Sequence, residues 1–319
     1  MRVSRPSDLL GLVPYLLGFH PEESLVAMLI RDDRVLLTAR MDLPPPGEFE
    51  LELEQLRSLV RQHRCSGLVL VAYCSDAAAG GRLVELLQPG LDDSGLLDAL
   101  VVDGSRWWSL LCSRGCCPVT GTPYDASTHP MAAEAVFAGL SAVSSRRDVV
   151  ATTAGPAAEE LPALRAVAVE VAGELADLTV EQRASMMSAA VADQLGGASG
   201  PDDRQCARLA LLADVVEVRD VAWAMMSRDE ADAHVELWSR VVARTVAPWQ
   251  VAPLCLLGMA AWIAGNGALQ NCCSQRAREA DPTYSMAALL EEINLRALPP
   301  SAWDLMAAEV RTGAGLAAG

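Results

Sequence analysis

The chain of 319 residues contains no lysine, and all 25 of its basic residues are arginine. An ammonium group loses its proton readily on burial, whereas a guanidinium keeps its charge. Schiff-base chemistry needs the free amine, so pyridoxal-phosphate and aldolase-type catalysis are excluded. The Gly-Lys-Ser/Thr phosphate loop and the strand lysine of a protein kinase are excluded with it. Positive charge is scarce as well, since 41 acidic residues give a net charge of −16. Phosphate backbones repel such a surface, and nucleic acid is not expected as a partner. Arg57, Arg61 and Arg64 recur at helical spacing, but Glu48, Glu50, Glu52 and Glu54 precede them. That order describes a solvated helix with acids at its N-terminal end and bases at its C-terminal end, as the helix dipole favours.

Long apolar runs are also missing. The most apolar span, Val251 to Ala264, is too short to cross a bilayer. Arg2 and Arg5 are followed by no uninterrupted apolar stretch of the signal-peptide kind. A cytoplasmic protein without a membrane partner is expected, with its nine cysteines as reduced thiols. The sequence holds no HExxH, GxSxG or GxGxxG motif.

What is present divides into two halves. Residues 1–150 show a mixed α/β pattern in the order ββαβαββ. Ser7 and Asp8 open one short helix, and Pro14 suits the first turn of a second that Gly18 and Pro21 end. Leu25 to Ile30 and Val35 to Met41 form a hairpin through Arg31-Asp32-Asp33-Arg34, and Pro44 to Gly47 breaks the chain before a helix at about Glu48 to Gln62. Leu68 to Tyr73 is an unbroken apolar run, the mark of a strand covered on both faces. A helix bearing Leu83, Leu86 and Leu87, a strand from Leu97 to Val102, and an antiparallel return at Trp107 to Leu111 through Asp103-Gly104 complete the pattern. Thr120 to Pro130 is expected as loop and Met131 to Leu140 as helix.

Ala151 to Pro156 marks the expected boundary. Residues 156–319 are expected to be all α, with a loop at Leu195 to Asp203 and a frayed tail from Arg311. From about 214 to 311 the spacing fits tetratricopeptide-like helical hairpins, with Leu257-Gly258 and Ala277 at close-packed positions and Asp281-Pro282 closing a unit. Gln270 and Gly267 depart from that pattern. An ordinary antiparallel bundle uses the same small residues, so both readings are open.

Two groups are candidates for chemistry. His20, Glu23 and Asp42 lie beside strand ends, where sheets often bind ligands, and form a candidate acid/base set with Glu22. Helix capping and a charged turn explain the same residues. Cys112, Cys116 and Cys117 form C-x3-C-C-P, and His129 supplies a fourth ligand for a structural zinc. The usual second pair of cysteines or histidines is missing, so buried thiols and a redox disulfide are open readings too, and no cofactor is expected. The seven tryptophans read as core anchors or as the lining of a peptide groove.

Pro14-Tyr15-Leu16-Leu17-Gly18-Phe19-His20-Pro21-Glu22-Glu23-Ser24-Leu25-Val26 resembles the opening signature of the DUF-4192 family. Met41-Asp42-Leu43-Pro44, Arg106-Trp107-Trp108-Ser109, the Cys112 to Pro118 turn, Arg219-Asp220-Val221-Ala222, the run from Leu256 through Trp262 and Gly265 to Asp281-Pro282, and then Pro299-Pro300 and Trp303 extend the resemblance over nearly the whole chain. It implies an actinobacterial group without an established activity, and it assigns no catalytic role to any residue. Gln270-Asn271-Cys272-Cys273 departs from the Ala-rich helix expected there. The expectation that follows is a non-enzymatic interaction or regulatory protein that binds a basic protein partner through its helical half. An enzyme or small-ligand sensor built on the sheet is the alternative.

Overall fold

The computed structural model describes residues 5–32, 34–45, 48–91, 95–112, 117–138, 140–197 and 200–313. Asp33 of the hairpin turn, Pro46-Gly47, Cys116, Ala198-Ser199 and the last six residues lie outside them. The chain divides into two compact units, residues 1–146 and 147–319. The division falls within the helix Arg146–Thr152 (α5), a little ahead of Ala151 to Pro156.

The first unit contains α1 (Pro6–Leu17), β1 (Ser24–Arg31), β2 (Arg34–Asp42), α2 (Glu50–His63), β3 (Gly67–Tyr73), α3 (Ala77–Leu87), β4 (Leu96–Val102), β5 (Arg106–Ser109), β6 (Thr122–Pro123) and α4 (Pro130–Phe137). The strands form one mixed sheet in the order β2-β1-β3-β4-β5-β6. Only β3 and β4 are parallel neighbours; β1 runs against both β2 and β3. Alternation sends Leu25, Ala27, Leu29, Leu70, Ala72 and Val101 toward Leu56 of α2 and Val84 and Leu87 of α3. Val26, Met28, Val71 and Val102 on the other face are equally buried, where α1 packs on β2 and α4 on α1. With both faces covered, β3 is buried at every position.

The sheet's two edges are blunted by different means. On β2 the register slips between Leu29/Leu37 and Ile30/Val35, a bulge that twists the edge away from another strand. At the opposite edge β6 is two residues long, within the stretch expected to be loop. It ends in Pro123, which has no N–H to offer a further strand.

One expectation about α1 is corrected. The two short helices are a single helix, Pro6–Leu17, that runs through Pro14. A proline inside a helix leaves the carbonyl four residues earlier without its donor. Here that carbonyl is Leu10 O, and it accepts a hydrogen bond from the Tyr124 hydroxyl at 2.7 Å. A partner from a distant loop thus removes the reason for the helix to break.

The second unit is helical: α6 (Leu161–Leu175), α7 (Val180–Gly196), α8 (Asp203–Ala213), α9 (Val216–Ala224), α10 (Ala231–Arg244), α11 (Val251–Ile263), α12 (Gly267–Ala280), α13 (Ser285–Leu295) and α14 (Ala302–Gly313). α14 carries the chain in helix past Arg311, where a frayed tail is expected. Every residue of α11 from Ala252 to Ile263 is buried. An all-apolar helix of this length is a core helix, and α8, α9, α10, α12 and α13 all pack against it. No helix among the described residues is long and apolar enough to cross a membrane.

Helices α10 to α13 pack in sequence order, each on the next. α14 departs from a string of hairpins by returning to α9. Trp303 stacks on Trp223 at 5.8 Å, meets Trp262 edge-on at 6.4 Å, and donates its indole N–H to Met226 O at 3.1 Å. Trp238, Trp262 and Trp303 are core residues.

Close approach of α11, α12 and α13 depends on Gly258. A β-carbon there would stand 2.8 Å from Leu290 Cδ1 and 3.1 Å from Cys273 Cβ. The leucine methyl can rotate away, but the cysteine β-carbon is fixed to its backbone. At Gly173 of α6 a β-carbon would meet nothing within 4 Å. Gly173→Ala is therefore expected to stabilise by about 0.5–1 kcal/mol through helix propensity. Gly258→Ala is expected to destabilise by about 1 kcal/mol net, since overpacking of about 1–3 kcal/mol outweighs the same gain. Urea denaturation of both variants checks this, and a gain in both would contradict close packing at Gly258.

Candidate functional site

The register brings several of the sequence candidates to one edge of the sheet. Ser24 at the start of β1 pairs with Asp42 at the end of β2 and with Tyr73 at the end of β3, and Tyr73 pairs with Val102 of β4. This is the carboxyl edge of the parallel strands, where open sheets commonly hold ligands. Here Ser24, Glu23 and Asp42 have their side chains bonded to the protein. Asp42 is 82% exposed and pairs with Arg40 at 2.6 Å. Arg40 Nε donates to Ser24 Oγ at 2.8 Å, and Ser24 Oγ donates to Glu22 O at 2.6 Å. The Glu23 carboxylate accepts the Ser75 backbone N–H at 2.8 Å and thereby braces the β3–α3 loop. His20 donates its backbone N–H to Val143 O at 3.1 Å. Glu23 and Asp42 turn to different partners, and no hydrogen bond or ion pair joins the side chains of His20, Glu23 and Asp42 among the described residues.

Helix α3 begins at this edge, but its own sequence occupies its N-terminus. The Asp76 carboxylate accepts from Ala78 N at 2.9 Å and Ala79 N at 3.2 Å. Cys74, beside it, fits only because residue 80 is glycine; a β-carbon there would stand 2.3 Å from its sulfur. Burial pushes the Cys74 thiol up, and the carboxylates of Glu23, Asp76 and Asp103 add to the effect. Burial also raises Cys206 and Cys255 to about 12. A thiolate is the reactive form, so these three cysteines are packing residues.

His129 is the N-cap residue of α4. Its Nδ1 accepts the Met131 N–H at 3.2 Å. Its Nε2 lies 3.8 Å from Asp8 Oδ1, and its ring fills the space that Gly11 leaves open. Both ring nitrogens thus face protein groups. Cys112 and Cys117 are described but Cys116 is not, and no group of three or more metal-ligating side chains occurs among the described residues.

Further polar features lie in the helical unit. Arg219 of α9 is only 4% exposed. Its Nε and Nη2 donate to Asp220 Oδ1 at 2.9 and 2.6 Å, and its Nη1 donates to the Tyr284 hydroxyl at 2.9 Å. The pair neutralises a charge that burial would otherwise make costly, and it ties α9 to the start of α13. An open cleft of about 720 Å³ is lined by Arg204, Arg240, Arg244, Asp202 and Asp203. Arg244 is held by Asp203 and Glu160, and Arg204 by Glu170 and Glu174, so most of its positive charge is internally matched.

A second groove, of about 470 Å³, opens between α12 and α13. Asn271, Gln275, Arg278, Glu279, Glu291 and Asn294 line it, and Leu295 at its rim is 67% exposed. The interface beneath is polar. Gln270, fully buried, donates to Leu290 O at 2.7 Å, Ser274 Oγ donates to Ala287 O at 3.4 Å, and Asn294 donates to Asn271 Oδ1 at 3.1 Å. The departure at Gln270-Asn271 is the sequence signal that pointed here; Asn294 and Glu279 carried none.

Residues 6–301 match the family described as Domain of unknown function (DUF4192). The chain belongs to this family. The match extends from the first turn of α1 to just before α14, and so includes both the sheet and the groove. Neither a curated protein nor a solved structure matches the chain.

Tyr124 is where the integrity of α1 can be tested. Tyr73 is fully buried beside it, and burial raises the phenols of both. Tyr124→Phe leaves Leu10 O without a donor, at an expected cost of about 1–3 kcal/mol. Pro14→Ala returns an N–H to that carbonyl, so in its background the tyrosine substitution is expected to cost less than about 1 kcal/mol. Urea denaturation of the four members of the cycle measures the coupling, and strictly additive costs would contradict the account of α1.

Proposed function

We propose that the protein is a cytoplasmic, non-enzymatic module that binds another protein through its helical unit. The groove between α12 and α13 carries this reading: it is open, bears unspent polar groups, and has an exposed leucine at its rim. Its amides and charged groups can be matched by the direct and water-mediated hydrogen bonds that a protein interface carries. The sheet offers less support for catalysis, because Glu23, Asp42 and Asp76 are each engaged in holding the backbone or an arginine. The net charge of −16 favours a partner with basic character.

The test places a photo-activatable cross-linker at Leu295 in the full chain, and in a second variant at exposed Arg82 of α3. Illumination in cells is expected to give discrete adducts of higher mass from position 295 and none from position 82. Adducts at neither position, or the same adducts at both, would overturn the reading.

A further inference from the structure

We infer that the groove between α12 and α13 receives an extended peptide segment carrying an arginine or lysine side chain; this deepens the reading that the helical unit binds a protein, and rests on it. A side-chain amide offers a donor and an acceptor, the same pair that a peptide group presents. Three such amides, Asn271, Gln275 and Asn294, line the groove. Asn294 Nδ2 donates to Asn271 Oδ1, which leaves the Asn271 NH2 and the Asn294 carbonyl for a ligand. Gln275 donates to Glu279, which leaves its own carbonyl. The groove therefore offers both a donor and acceptors. An extended backbone uses both, whereas a phosphate or carboxylate ligand uses donors alone.

The charge in the groove selects the side chain. Arg278 is held by Glu291 at 3.3 Å and by the Pro282 carbonyl at 3.1 Å. Glu279 has the Gln275 amide but no cationic side chain within ion-pair distance among the described residues. One arginine against two glutamates leaves an uncompensated carboxylate, and a peptide cation completes it. The whole-chain charge of −16 steers the same class of partner toward the surface. Leu295 at the rim gives an apolar neighbour of the bound segment a place to pack. One of the three amides, Asn271, belongs to the stretch where the sequence leaves the Ala-rich helix pattern.

The probes are three short, end-capped, fluorescein-labelled peptides in which alanine alternates with arginine, serine or glutamate. Anisotropy is measured with the full chain at physiological salt. The arginine peptide is expected to bind at least about tenfold more tightly than the serine peptide, and the glutamate peptide not to bind. Glu279→Gln is expected to weaken the arginine peptide about fivefold. Glu85→Gln, at an exposed position of α3, is expected to leave it unchanged. Equal weakening by both variants would show diffuse attraction to an acidic surface and overturn the inference. Absence of binding, or no preference for arginine, would overturn it too. If that happens while the cross-linker at position 295 still gives adducts, the protein-binding reading stands and the peptide assignment alone falls.

Discussion

Helix α11 has no face to give to water, and the helical unit is arranged around that fact. From Ala252 to Ile263 its side chains are all buried. An ordinary surface helix needs cover along one stripe, but this one needs it on all sides. Five helices supply the cover, and each then shows water the face that α11 does not use. Gly258 lets α12 and α13 come close on one side, and the buried Arg219 with Asp220 and Tyr284 fixes α9 to α13 on another. The groove between α12 and α13 is a product of this arrangement. Both helices are held on α11 from below and pack on each other, and the groove opens along their outer polar sides.

The first unit solves a different problem, that of backbone groups without partners. Its sheet is covered on both faces and blunted at both edges by a bulge and by a proline. Where Pro14 takes an N–H out of α1, Tyr124 supplies a hydroxyl. Where α3 begins, Asp76 takes the free N–H groups. Glu23 does the same for Ser75 N. At the carboxyl edge Glu23 and Asp76 thus hold backbone N–H groups, and Asp42 pairs with Arg40.

Much of the architecture was legible in the sequence because it rests on local signals. The strands β1 to β4 follow from apolar runs bounded by turn residues, and α2 from its acid-to-base order. The unbroken run at Leu68 to Tyr73 correctly implied cover on both faces. The failures came where distant residues intervene. Pro14 reads as a helix start because nothing local reveals that Tyr124 will satisfy Leu10 O. The return of α14 to α9 is set by Trp303 meeting Trp223 and Met226, contacts without any sequence period. The groove was half legible. Gln270-Asn271 stood out as too polar for a packed helix, but Asn294 and Glu279 on an amphipathic background look like any solvated face.

The central claim is that α11 is the element on which the helical unit is assembled, and that the groove exists because α12 and α13 are both fastened to it. Native-state hydrogen exchange measures this most directly. The amides of Leu256 to Met259 are expected to exchange only through the largest opening of the unit, with a denaturant dependence equal to that of its unfolding. Those of α6 and α14 are expected to exchange through smaller openings. Exchange of the α11 amides through a smaller opening than those of α14 would contradict the account.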